Sequence, residues 1–195
     1  MSAVAQAGPI VLPDARTRIL DAAEAIVRAR GVSGFTLEAA AREAGVSKGG
    51  LLYHFASKEA LLAAMLARLA DFVAEDFVLA MQRLPPGPGR AARAMLAWGL
   101  ELSEAEANER CDRAAAVFLA AFHHDPALLD PIRAVVAGLR DAVAADGLPP
   151  GHGMAIMAAM DGLFMARIFG MYELAPEERQ AMHAALSRLL EPGGP

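Results

Sequence analysis

The stretch VSKGGLLYHFASKEA (residues 46–60) holds the only two lysines of a 195-residue chain, Lys48 and Lys58, and one of its two tyrosines, Tyr53. The other 16 cationic residues are all arginine. A lysine ammonium is a compact charge with three rotatable donors, suited to phosphates met at varied angles. Ser47 is placed to cap a short helix ending near His54. Ser57 caps the next one, with Glu59 in a first turn where the helix dipole favours an acid. Gly49 and Gly50 sit inside the short helix, although each costs about 1 kcal/mol there relative to alanine. A glycine pair makes sense where the backbone must come close to another molecule. A helix-poor loop between two core helices is the blander reading.

Upstream, Asp14–Arg30 reads as a helix with Ile19, Ala22, Ala23, Ile26 and Val27 on one face and Gly31 as its stop. Thr36 caps a helix over 37–44, with Glu38 in its first turn. Gly45 breaks it, at a position that needs a residue tolerating φ > 0, and Val46 can fill the gap between the two helices. Helices 37–44 and 48–54, joined by AGVS, have the proportions of a helix-turn-helix. The second helix of such a unit presents its first residues to base edges in the major groove. Here those residues are Lys48, Gly49 and Gly50.

Downstream, a long helix runs from Ser57 to about Arg83, before the PPGPG break at 85–89. Helices follow over 90–104 and 107–123. Another opens at Asp125-Pro126 and ends near Asp146-Gly147; the last two span 153–172 and 176–190. No strand-like alternation interrupts them, so the expected class is all-α with about nine helices. The expected organisation is a loose tail (1–13), a helix-turn-helix domain (14–60) and a larger helical domain (61–195).

Charge divides the same way. Residues 1–60 carry seven Lys/Arg against six Asp/Glu, whereas 61–195 carry eleven against seventeen. With a net charge of −5, the whole molecule is not a basic nucleic-acid binder, and 55% hydrophobic content excludes global disorder. The single cysteine, Cys111, allows no intrachain disulfide and fits a reducing cytoplasm. Beside Arg110 and Arg113 it could also act as a redox sensor. The N-terminus has no basic region or apolar stretch of signal-peptide type. The apolar run 153–172 contains Asp161 and Arg167, which argues for a buried helix over a membrane span.

The segment TLEAAAREAGVSKGGLLYHFASKEAL resembles the DNA-binding segment of the TetR family of bacterial transcriptional regulators. The match is specific over about 17–66. The resemblance implies a dimer of nine- or ten-helix chains, each with an N-terminal helix-turn-helix and a C-terminal ligand-binding and dimerisation domain. It implies that Thr36 caps the second helix and meets a phosphate, and that Ser47, Lys48 and Gly49 open the recognition helix, with Gly50 beside them. Tyr53, His54 and Lys58 would contact backbone phosphates. One departure is visible: Leu52 stands where the family often has tyrosine, and it is expected to face the core.

The implied chamber between the middle helices makes Trp98, Phe118, Phe122, Met157, Met160 and Phe164 candidate lining residues for a small apolar or aromatic effector. Ten methionines fit an adaptable apolar interior, although a plain core is the commoner use of such residues. Helices 153–172 and 176–190 are too apolar for an isolated surface. They are expected to pair with their copies in a homodimer through Gly162, Met165, Phe169, Met182, Leu186 and Leu189. No catalytic motif or cofactor fingerprint is present. His123-His124 suits a helix C-terminus better than a metal site. The expected function is a cytoplasmic, effector-responsive repressor that binds a palindromic double-stranded operator and needs no cofactor or membrane. The alternatives are a same-fold DNA binder with a nucleoid or division role, and a helical carrier or enzyme that does not bind DNA.

Overall fold

The computed structural model describes residues 13–31, 34–100, 114 and 125–191. The expectations for the tail, helix 107–123, Cys111, Phe118, Phe122 and His123-His124 lie outside the described residues, save for Pro13 and Ala114; Ala114 is helical and buried. The described part is helical, with no strand in it. Eight α-helices are described: α1 (Ala15–Arg30), α2 (Leu37–Glu43), α3 (Lys48–His54), α4 (Lys58–Gln82), α5 (Arg90–Leu100), α6 (Asp130–Ala144), α7 (His152–Ile168) and α8 (Pro176–Ser187). The chain divides into two compact units between Leu61 and Leu62.

The first unit builds its core from the apolar face of α1 and the small residues of α2. Ile19, Ala23, Phe35, Ala40, Leu51 and Leu61 are completely buried, each large apolar side chain contributing about 1.5–3 kcal/mol on leaving water. Asp14 caps α1, its Oδ1 accepting from the Thr17 amide at 2.7 Å. The hydrogen bonds from Thr17 hold the Asp14 carboxyl below its usual range. α2 stops because Gly45 takes φ +65°. Its amide donates to Arg42 O (3.2 Å) and the Val46 amide to Ala41 O (3.0 Å), so two otherwise orphaned carbonyls are satisfied. Arg18 fastens α1 to the loop preceding it, with Nη1 donating to Pro13 O at 2.9 Å.

In the second unit α5 packs closely on α7. A Cβ at Gly99 would overlap Met160 Sδ, so any larger residue there requires the Met160 side chain to move. At Gly153, between α6 and α7, a Cβ would likewise lie 2.6 Å from Val143 Cγ1. The N-terminus of α5 is capped from a distant loop: Asp146 accepts from the Ala91 and Ala92 amides at 3.0 and 2.8 Å. Arg90 Nε donates to Met81 O (2.9 Å), linking the start of α5 to the end of α4.

Three helix boundaries differ from the sequence expectation; the last helix, expected to reach 190, ends at Ser187 and passes into a 3-10 turn over Arg188–Leu190. Asp125 does cap, accepting from Ala127 N at 2.9 Å, but it opens a 3-10 turn over Pro126–Leu129, and α6 begins only at Asp130. The apolar run 153–172 stops being helical at Ile168. Gly170 adopts φ +59°, its amide donates to Arg167 O and the Met171 amide to Ala166 O at 2.8 Å. The periodic apolar side chains continue to Tyr172, but the left-handed glycine has already closed the helix.

Candidate nucleic-acid interface

The Gly45 turn leaves the N-termini of both α2 and α3 on exposed caps. Thr36 Oγ1 accepts from Ala39 N (3.1 Å) and Ser47 Oγ from Gly50 N (3.0 Å). Both residues are exposed. Each hydroxyl spends a lone pair on its helix and keeps its proton for an outside acceptor such as a phosphate oxygen.

The two glycines of α3 are not equivalent. A Cβ at Gly50 would sit 3.2 Å from Ser47 Oγ, the capping oxygen, so Gly50 has a local reason to be small. At Gly49 the nearest atom to such a Cβ is Ser47 Oγ at 4.0 Å, and the residue is exposed. Nothing inside the fold requires glycine at position 49.

Lys48, the first residue of α3, is paired with Glu38, the second of α2. The ammonium lies 2.5 Å from Glu38 Oε1, and the two side chains are 60% and 61% exposed. The hydrogen bond from Lys48 is the main reason the Glu38 carboxyl is held below its usual range. The sequence reading gave Glu38 only a dipole role. The ten-residue separation crosses a turn, so no helical spacing announced the pair.

Tyr53 is 86% exposed, the most exposed of the large apolar or aromatic residues noted at the surface. It meets the His54 ring edge-on, with centroids 5.2 Å apart. An aromatic ring left this far in water is not explained by packing. Lys58 is half-buried, with Nζ 5.3 Å from the centre of the buried Phe35 ring; its donors remain available beyond that ring. Arg16, which the sequence reading did not single out, lies over Phe55 at 5.4 Å. Leu52 corrects an expectation: it is 39% exposed, while its neighbour Leu51 is completely buried. On a helix consecutive side chains point about 100° apart, so only one of the two leucines can face the core.

In the second unit Met157 and Met160 are buried, and Trp98 and Phe164 are half-buried. Trp98 Nε1 donates to Asp76 Oδ2 at 2.7 Å, tying α5 to α4. Met182, Leu186 and Leu189 pack partly against this unit's own core. Gly162 is exposed with open space beyond it, and Met165 and Phe169 are 38% and 60% exposed. Among the described residues no group of three or more His, Cys, Asp or Glu could hold a metal ion, and no helix is long and apolar enough to cross a membrane.

The fold and this exposed helix-turn-helix agree with comparisons to known proteins. Residues 19–65 match the model described as bacterial regulatory proteins, tetR family, and residues 89–191 match the tetracyclin repressor-like C-terminal domain. The chain belongs to the TetR family, a family of regulators rather than enzymes. It is 46% identical over 64 residues to the HTH-type transcriptional regulator SrpR of Pseudomonas putida, a match covering 33% of this chain and 30% of SrpR. A member of the TetR family from Streptomyces coelicolor A3, SCO1917, superposes with a TM-score of 0.64 at 26% identity, covering 92% of this chain and all of that one. The multidrug binding protein EbrR complexed with malachite green superposes at 0.66, also at 26% identity and with the same coverage.

Proposed function

We propose that this chain is a cytoplasmic, ligand-responsive repressor that binds a palindromic operator as a homodimer and is released by a small aromatic or apolar molecule. The single observation that carries the DNA-binding part is Gly49. It is an exposed glycine inside a helix, at the end that meets base edges in a helix-turn-helix, and nothing in the fold requires it. Thr36, Ser47, Tyr53, His54 and Lys58 are the phosphate contacts of this reading, and Lys48 with Gly49 and Gly50 is the reading head. Half-sites are then about 34–36 Å apart or a multiple of that.

The likeness to EbrR, which was solved with malachite green and with ethidium, supports an aromatic effector for residues 62–195. Met157 and Met160 supply adaptable apolar surface there, and Trp98 sits near them on α5, the helix packed on α7. α4 runs without a break across the boundary between the two units, which suits it to carry a response from one to the other. For the dimer, the support is an apolar surface that this chain leaves in water: Met154, Met165, Phe169, Met171 and Tyr172 are exposed and α8 has no buried residue. The test is selection of duplexes from a random library with the purified chain, with and without malachite green or ethidium. A two-fold symmetric sequence, depleted when dye is added, is expected. A protein that enriches no sequence defeats the reading; one whose enriched sequence ignores both dyes defeats the part that assigns an aromatic effector.

A further inference from the structure

The pair formed by Lys48 and Glu38 lies on the surface the proposed function assigns to DNA, and the following inference rests on that reading. Both side chains are more than half exposed, so the pair is not a means of burying charge. It joins the first turn of α2 to the first residue of α3, beside the two exposed caps Thr36 and Ser47. An uncompensated carboxylate here would face a phosphate surface and be repelled. With the Lys48 ammonium at 2.5 Å it is neutralised, and so is the lysine.

That mutual neutralisation acts differently on the two kinds of DNA binding. Non-specific binding is driven by cations that replace condensed counterions on phosphates. A lysine already satisfied by a carboxylate contributes little to it. A base edge such as guanine O6 and N7 offers two acceptors at fixed positions in the groove, a better exchange for the carboxylate than one mobile phosphate contact. We propose that Glu38 is a specificity-determining residue: it withholds Lys48 from phosphate and releases it to a matching base edge. Glu38 acts through Lys48 and is a positioning residue, not a base contact.

The test compares the parent with Glu38→Gln on two duplexes, one selected by the parent from a random library and one a scrambled duplex of equal composition. Glu38→Gln keeps the side-chain size and leaves the buried residues of α2 untouched. Freeing one phosphate-seeking cation steepens the log affinity against log salt slope on scrambled DNA by about 0.9 per chain, which is about eightfold tighter per chain at 0.1 M relative to 1 M salt. Affinity for the selected duplex rises less, so the ratio of the two falls. Lys48→Gln and the double variant Glu38→Gln/Lys48→Gln complete a cycle, and in the Lys48→Gln background the Glu38 change only relieves repulsion, acting on both duplexes alike and leaving the ratio of the two unchanged. An unchanged slope in Glu38→Gln overturns the inference. So does an equal fall in the ratio with and without Lys48, since Glu38 then does not act through Lys48. A parent that enriches no duplex from the library and does not bind a scrambled one overturns the DNA-binding reading itself, a result distinct from both.

Discussion

Gly49→Ala separates what the fold needs from what the function needs. The residue lies inside α3, has no positive φ, and a Cβ there would come no closer than 4.0 Å to another group. Alanine is favoured over glycine in a helix by about 0.8–1 kcal/mol, less near a terminus, and nothing in the structure offsets that gain. For a chain of this size about 1 kcal/mol corresponds to about 2–4 °C, so the thermal midpoint followed by circular dichroism should rise by up to that amount. Affinity should move the other way. On the proposed reading, a methyl group at this end of α3 would hold the backbone off the groove and loosen the neighbouring Lys48 contact. One good base contact is worth about 1–3 kcal/mol, which is about 5- to 150-fold in affinity for the selected duplex. Titration of labelled duplex by fluorescence anisotropy reads this directly. A stabilised variant that binds as tightly as the parent would refute the reasoning, because Gly49 would then have neither a structural nor a functional role.

Three further outcomes follow from the same geometry. Lys58→Ala should lower the salt slope by about 0.9 per chain on any duplex, selected or scrambled; an unchanged slope would place its ammonium away from the phosphates. Asp146→Ala removes the acceptor of both the Ala91 and Ala92 amides and should cost about 1–2 kcal/mol, as other lost caps do, seen as a midpoint lower by about 2–8 °C; an unchanged midpoint would mean that water replaces the carboxylate. Gly162→Arg meets open space within the chain, so its fold should survive while sedimentation shows a monomer in place of the proposed dimer, and a dimeric variant would put the interface elsewhere.

The helix-turn-helix was legible because its signals are local. Thr36 and Ser47 announce caps three residues ahead of the amides they bind, and Gly45 marks the left-handed turn between them. The ends of the apolar helices were less legible. Side-chain periodicity carries on from Ile168 to Tyr172, and only the φ of Gly170 shows that the backbone has turned. Leu51 and Leu52 are chemically identical, so the resemblance could not say which faces inward; the helix phase set by Ser47 decides it. Contacts between residues far apart in sequence were not legible at all. Asp146 capping α5, Asp76 accepting from Trp98, and Glu38 holding Lys48 each join separate helices or loops, and no local spacing encodes them.

On the proposed reading, α2 and α3 read a DNA sequence. The most direct measurement is the ratio of affinities for the selected and scrambled duplexes, taken by competition at physiological salt. A sequence-reading face predicts a ratio of about 10³ or more, falling about 5- to 150-fold in Gly49→Ala. Equal affinity for both duplexes, or a high ratio that Gly49→Ala leaves intact, would contradict it.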